Sequence, residues 1–127
     1  MMRLLLDTHA FVWATTDPGR LSSQARDAIR DGEADLYLSA VSAYEIDFKR
    51  EFSPELQRLP PDLDDARPTL RFRWLSIDRR HMTAAARLPR FHRDPWDRII
   101  IAQAQSEDMM IVSIDPMLRA YDVSLLW

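Results

Sequence analysis

Arg3-Leu4-Leu5-Leu6-Asp7 is a continuous apolar run that stops on a carboxylate. Continuity rather than alternation marks a strand buried on both faces, as in parallel sheets. Three more acids occupy comparable places. Glu45 follows the stretch Leu36-Tyr37-Leu38, Asp97 opens the helical run Arg98 to Ala104, and Asp115 follows Met110-Ile111-Val112-Ser113-Ile114. Acids that recur where buried strands stop are candidates for one shared pocket. Carboxylates gathered there repel each other, and a divalent cation is the simplest remedy.

The rest of the chain alternates in the same way. Strands are expected at Arg3–Asp7, Leu36–Ser39, Trp74–Ile77, Met109–Ile114 and Val123–Trp127. Helices are expected at His9–Thr15, from Ser22 or Ser23 to Arg30, and at Ser42–Glu51. Further ones are expected at Asp62–Leu70, Asp78–Leu88 (with Asp78 as N-cap), Asp97–Glu107 and, as a turn, Pro116–Tyr121. Asp17-Pro18-Gly19 reads as a turn, Gly32 as a helix stop, and Pro89–Pro95 as a loop. The pattern predicts an α/β fold: a parallel sheet with helices on both faces and ligands beyond the carboxyl ends of the strands. No repeat or linker divides the 127 residues, so one domain over 1–127 is expected.

Composition narrows the chemistry. Hydrophobic residues make up 46%, enough for a core. No stretch is long and apolar enough to span a membrane, and Asp7 comes too early for a signal-peptide core, so a soluble cytoplasmic protein is expected. Cysteine is absent, which excludes disulfides, zinc–thiolate sites and thiol nucleophiles. Two glycines cannot build a dinucleotide or P-loop motif. His9, His81 and His92 are scattered and read as ordinary histidines. Net charge is −3, and every Lys+Arg cation except Lys49 is arginine. An acidic chain needs a local basic surface to bind nucleic acid. Arg79, Arg80, Arg87, Arg90, Arg93 and Arg98 around Asp94 and Asp97 offer one, unless they form a solvated helical face.

Each acid also has a purely structural reading. Asp7 fits an N-cap for Thr8 onward. Ser42-Ala-Tyr-Glu45 matches a capping box, and the spacing does not separate that role from metal binding. Asp94, Pro95 and Asp97 fit the N-cap, first and third positions of a helix. Asp115-Pro116 fits a turn. Independent caps, however, have no reason to choose the same edge of a sheet. A receiver domain would need paired acids after the first strand and a lysine after the last one. An aspartyl phosphatase would need Asp-x-Asp where His9 stands.

Leu4-Leu-Leu-Asp7-Thr-His-Ala-Phe-Val-Trp13, Ser39-Ala-Val-Ser-Ala-Tyr-Glu45-Ile, Leu88-Pro-Arg-Phe-His-Arg-Asp94-Pro-Trp-Asp97-Arg to Ala104, and Met110-Ile-Val-Ser-Ile-Asp115 resemble the PIN domain. More narrowly, they resemble the VapC-like toxins of bacterial toxin–antitoxin pairs. The resemblance covers nearly the whole chain, and His92-x-Asp-Pro-Trp-Asp-Arg98 is its most specific part. It implies a Mg²⁺-dependent ribonuclease, with Mn²⁺ as the other suitable ion, and a metal pocket of Asp7, Glu45, Asp97 and Asp115. Asp94 would stand behind these, and Ser113 would steady Asp115. Arg90, Arg93 and Arg98 would hold the RNA backbone. Trp13 and Trp96 could stack a base, although core packing is the better reading for both. A VapB-like antitoxin and a homodimer follow from the same resemblance. The alternative is a catalytically inactive module that acts through a protein partner. The chain departs from the family between Ile46 and Pro61, where Asp47 is either an extra pocket charge or, as we prefer, a surface residue.

Overall fold

The computed structural model describes residues 2–127 and contains one five-stranded, wholly parallel sheet. Its strands are β1 (Arg3–Leu6), β2 (Asp35–Ser39), β3 (Arg73–Leu75), β4 (Met110–Val112) and β5 (Leu125–Leu126), in the spatial order β3-β2-β1-β4-β5. The helices are α1 (Thr8–Thr16), α2 (Ser23–Arg30), α3 (Ala40–Lys49), α4 (Arg79–Arg87) and α5 (Pro95–Glu107). The expected α/β architecture is therefore present.

β1 is the centre of the sheet. Leu4 pairs with Leu36 on one side and Met110 on the other. Side chains alternate across a strand, and the two faces of β1 feed separate cores. Leu4 and Leu6 pack with Phe11, Leu36, Leu38 and the 59–72 segment. Leu5 packs with Ile100, Ile101 and Ile111, which brings α5 against the other face. All three leucines are fully buried, as the unbroken apolar run requires.

Several boundaries differ from expectation. The helix expected from Ser42 begins at Ala40, because the Ser39 hydroxyl accepts from Val41 N at 3.1 Å and caps it. Pro60, Pro61 and Pro68 break the segment expected to form a helix over 62–70, which keeps only a 3₁₀ turn at Leu63–Ala66. β3 starts one residue early and ends at Leu75, and β4 and β5 are shorter than their apolar stretches. α5 begins at Pro95 with Asp94 as its cap, rather than at Asp97. Gly32 ends nothing: α2 closes at Asp31 with no residue in the left-handed region. Asp108 takes that conformation after α5 instead, at φ 54°. Asp78 caps α4 as expected, and His81 completes a capping box with it.

Asp47 is a surface residue, with its side chain 68% exposed beside Arg50. Arg50 turns inward and donates to the carbonyls of Leu56, Leu59 and Pro60, which ties down the atypical segment.

Phe11 anchors the first core and meets Phe72 edge-on at 5.2 Å between ring centroids. Truncation of a buried aromatic leaves a cavity, so Phe11→Ala should lower stability by about 3–5 kcal/mol in urea denaturation.

Candidate metal centre

β1 delivers Asp7 to the carboxyl edge of the sheet. Its N–H continues the ladder to Val112 O at 3.1 Å, and its Oδ1 caps α1 by accepting from Ala10 N at 2.8 Å. The side chain is 6% exposed. Burial raises its pKa above the ordinary 3.8. The Ser113 hydroxyl, the Ala10 N–H and His9 oppose that rise, and the charge of Asp115 adds to it. Asp7 and Asp115 therefore share one neighbourhood.

Glu45 is equally buried. Thr8 Oγ1 donates to its Oε1 at 2.7 Å, and Lys49 Nζ donates to its Oε2 at 2.6 Å. The Thr8 hydroxyl has one proton and spends it on the carboxylate. Ser42 must then be the donor in its 2.9 Å contact with Thr8. The capping-box reading of Ser42 and Glu45 falls with this network. Ser39 is the cap of α3, Ser42 lies inside the helix, and Glu45 lies deeper still.

Asp94 and Asp97 lie at the start of α5. Asp94 Oδ1 accepts from Trp96 N at 2.9 Å as the N-cap. Asp97, one turn in, is pushed up to about 7. Burial is the main cause, followed by the charges of Asp94 and Asp7, with Glu45 adding to them and His92 pulling the other way. Asp115 caps a 3₁₀ turn through Oδ1, which accepts from Met117 N at 2.9 Å. Ser113 is buried and touches the main chain of Asp115, accepting from its N–H at 3.0 Å.

His92 is central, contrary to the reading of an ordinary histidine. Its Nδ1 accepts from Asp94 N at 3.2 Å, which assigns the proton of the neutral ring to Nε2. Nε2 lies 3.1 Å from Asp97 Oδ2 and 2.9 Å from Asp115 Oδ2, so it bridges the two carboxylates. Its main-chain N–H donates to the Tyr121 hydroxyl at 2.8 Å, and that hydroxyl donates to Pro89 O at 2.7 Å. One side-chain atom from each of His92, Asp97 and Asp115 falls within a 4.8 Å group of metal-ligand spacing.

Lys49 was likewise absent from the expected site. Burial works to lower it, but the bond and charge of Glu45, with Asp94 and Asp97, raise it overall. Two signals in the sequence pointed to these residues: Lys49 is the chain's one lysine and stands four residues after Glu45, and His92 stands two before Asp94.

Carboxylate oxygens dominate the donor set, with one imidazole beside them. Such a set suits a hard divalent cation, and burial, with neighbouring carboxylates adding to it, penalises the ionised forms of Asp7 and Asp97, a cost that a cation would offset.

The expected arginines divide. Arg90 and Arg93 are exposed on the loop beside Asp94. Arg98 is not free for RNA. Its guanidinium donates to the carbonyls of Pro89, His92, Ala85 and Leu88 at 2.8 to 3.2 Å, and to Ala86 at 3.5 Å. It ties the end of α4 and the following loop to α5. Trp13 packs against Trp127 in the core, whereas half-buried Trp96 packs against exposed Tyr44 and Phe48.

The sequence model of the PIN domain matches residues 4–124. Ribonuclease VapC22 of Mycobacterium tuberculosis is 31% identical over 132 residues, across 95% of this chain and 93% of that protein. Among solved structures, DNA-bound VapBC from Salmonella typhimurium superposes with a TM-score of 0.71 at 17% identity, covering 98% of this chain and 97% of that one. VapBC2 from Rickettsia felis, bound to a promoter DNA fragment, superposes with a TM-score of 0.69 at 12% identity over the same shares. These two likenesses establish the fold.

Loss of Arg98 would leave several carbonyls without a donor, and lysine cannot replace the fork. Arg98→Ala and Arg98→Lys should each lower stability by about 1–3 kcal/mol in chemical denaturation. Asp97 sets a pH dependence. Its raised pKa lets the folded chain keep a proton that the unfolded chain has released. That advantage is full at low pH and is lost as pH rises from 3.8 to about 7. For metal-free protein, Asp97→Asn should be stabilising at pH 8 by on the order of 2 kcal/mol and nearly neutral at pH 4. Urea titrations at both pH values read this directly.

Proposed function

Since the chain belongs to the PIN domain family, we propose that it is a divalent-metal-dependent ribonuclease, the toxin of a VapBC-type toxin–antitoxin pair. The observation that carries the reading is the group of His92, Asp97 and Asp115 with ligand atoms within 4.8 Å of one another, with Asp94, Asp7 and Glu45 close enough to add to the rise that burial gives Asp97. The named ribonuclease relative supports the chemistry. Asp7 and Asp97, with Asp115 and Glu45, would hold Mg²⁺, or Mn²⁺ in its place. When bound, the cation lowers the pKa of coordinated water and offsets charge developing on the phosphoryl oxygens.

The chain's own groups divide the remaining work. Thr8 and Lys49 fix both oxygens of Glu45, which leaves that carboxylate oriented to take a proton from the attacking water. His92 holds Asp97 and Asp115 in register through Nε2. Ser113 sits between Asp7 and the main chain of Asp115. Arg90 and Arg93, exposed beside the pocket, are placed to grip phosphates on either side of the scissile one. A VapB-like antitoxin and a homodimer complete the reading. Exposed Tyr44 and Phe48 pack on Trp96, one residue from Asp97, and form the kind of apolar surface that partners cover.

One observation favours a second reading, an inactive binding module. Asp7, Asp94 and Asp115 all serve as helix caps. Each cap nevertheless uses a single carboxylate oxygen; the second oxygen of Asp115 faces His92, and a carboxylate's further lone pairs can still meet a cation.

Asparagine caps helices as well as aspartate does, so Asp7→Asn should fold. We expect purified protein to cleave RNA with Mg²⁺ or Mn²⁺, and Asp7→Asn to cleave at least about a hundredfold more slowly. Millimolar Mn²⁺ should raise the melting temperature of the wild type and leave that of Asp7→Asn nearly unmoved. Undiminished cleavage by Asp7→Asn, or no Mn²⁺ shift in the wild type, would count for the binding module.

A further inference from the structure

A second cleft, about 730 Å³ in volume, opens at the opposite end of the sheet from the carboxylates. Its walls come from α2 and from the amino ends of β2 and β3. Arg26 and Arg30 stand four residues apart on α2, and Arg71 and Arg73 stand two apart on the extended segment that becomes β3. Both spacings put each pair on one face of its element. Among the described residues, none of these four guanidinium groups forms an ion pair or donates a side-chain hydrogen bond. Arg20, Arg50, Arg67 and Arg98 are engaged with carboxylates or carbonyls; Arg79, Arg80, Arg87, Arg90, Arg93 and Arg119 show no such partner among the described residues either, but none of them lines this cleft. Asp31 and Asp35 also line the cleft, but neither pairs with the four arginines. Leu21, Leu70 and Phe72 lie beneath the cleft as buried members of the core.

We propose that this cleft binds the phosphodiester backbone of single-stranded RNA, remote from the cleavage pocket, as an anchoring site for a longer substrate. The proposal rests on the ribonuclease reading above, which makes RNA the polyanion this chain meets. Unpaired arginines on two facing walls of a chain with net charge −3 are not surplus positive charge. They are a local concentration of it, in the fork geometry that matches phosphate. β2 is five residues long, so the sheet separates cleft and pocket by roughly 16 Å at ~3.3 Å per residue. An oligonucleotide short enough to lie within the pocket does not reach the cleft, whereas a strand of about 20 nucleotides passes both.

The test is binding without cleavage. Fluorescence anisotropy in EDTA would follow an unstructured, labelled 20-nucleotide RNA and a dinucleotide with wild type, R26A/R30A and R71A/R73A. These side chains are exposed or half-buried, so the folds should survive, and circular dichroism checks this. The 20-mer should bind each double variant on the order of tenfold more weakly. The slope of log affinity against log salt should fall by about 1.4, at ~0.7 per phosphate lost. Binding of the dinucleotide should not change. Arg→Lys versions should recover most of the salt slope, because charge rather than the fork sets it. Unchanged 20-mer affinity and slope in both variants would overturn the proposal. So would an equal loss for poly-glutamate, which would mark a surface for acidic protein segments. Because no cleavage is read, a chain that proved not to be a nuclease would leave this result interpretable. Conversely, failure of the cleft would leave metal-dependent cleavage of short RNA intact.

Discussion

Carboxylates brought together at the end of a water-excluding sheet cannot all be ionised without counter-charge, and that constraint organises this molecule. Asp7 is raised by burial and by Asp115, and Asp97 is driven to about 7 by burial and by Asp94, Asp7 and Glu45. The fold answers with the cations and donors it has. Lys49 reaches Glu45, and the Nε2–H of His92 is shared between Asp97 and Asp115. These contacts offset only part of the cost, since Asp97 stays at about 7, held there first by burial and then by the repulsion of its neighbours. The remaining cost is stability given up by the metal-free chain, and it is what a divalent cation would recover on binding.

Helix capping and the pocket do not compete for the same atoms. Asp115 accepts from Met117 N with Oδ1 and faces His92 with Oδ2. Asp7 spends Oδ1 on Ala10 N, and Asp94 spends Oδ1 on Trp96 N. A carboxylate has two oxygens and several lone pairs, so a cap leaves capacity over. Capping in turn fixes where the carboxylate sits, because the helix start holds it. In this chain, local structure positions the pocket.

The sheet was legible because its signal is coarse: unbroken apolar runs at Leu4–Leu6 and Met110–Val112 have no alternative to burial on both faces. The acids were legible because they follow those runs. Boundaries were less so. Ser39 and Ser42 are both plausible caps three residues apart, and only the backbone decides that Ser39 caps while Ser42 donates to Thr8. Arg98 looked like any arginine in a basic stretch, since nothing in a linear pattern shows that the loop from Leu88 to His92 folds back over it. His92 was missed for the same reason. Its partners Asp97 and Asp115 are five and 23 residues away, and the bridge exists only after α5 and β4 are placed.

That loop links the stability of the fold to the shape of the pocket. Arg98 holds the carbonyls of Leu88, Pro89 and His92, while Tyr121 receives His92 N and donates to Pro89 O. Two side chains from distant parts of the sequence thus fix the main chain on either side of the imidazole. The ring is oriented from its other end by Asp94 N. A histidine on a loop would ordinarily sample several rotamers, and ordering it costs conformational entropy. Here the hydrogen bonds that stabilise the α4–α5 connection meet that cost, so the bridge between Asp97 and Asp115 is part of the fold. The arginine in the family-like segment Asp94-Pro-Trp-Asp97-Arg98 is then explained by the architecture behind the pocket.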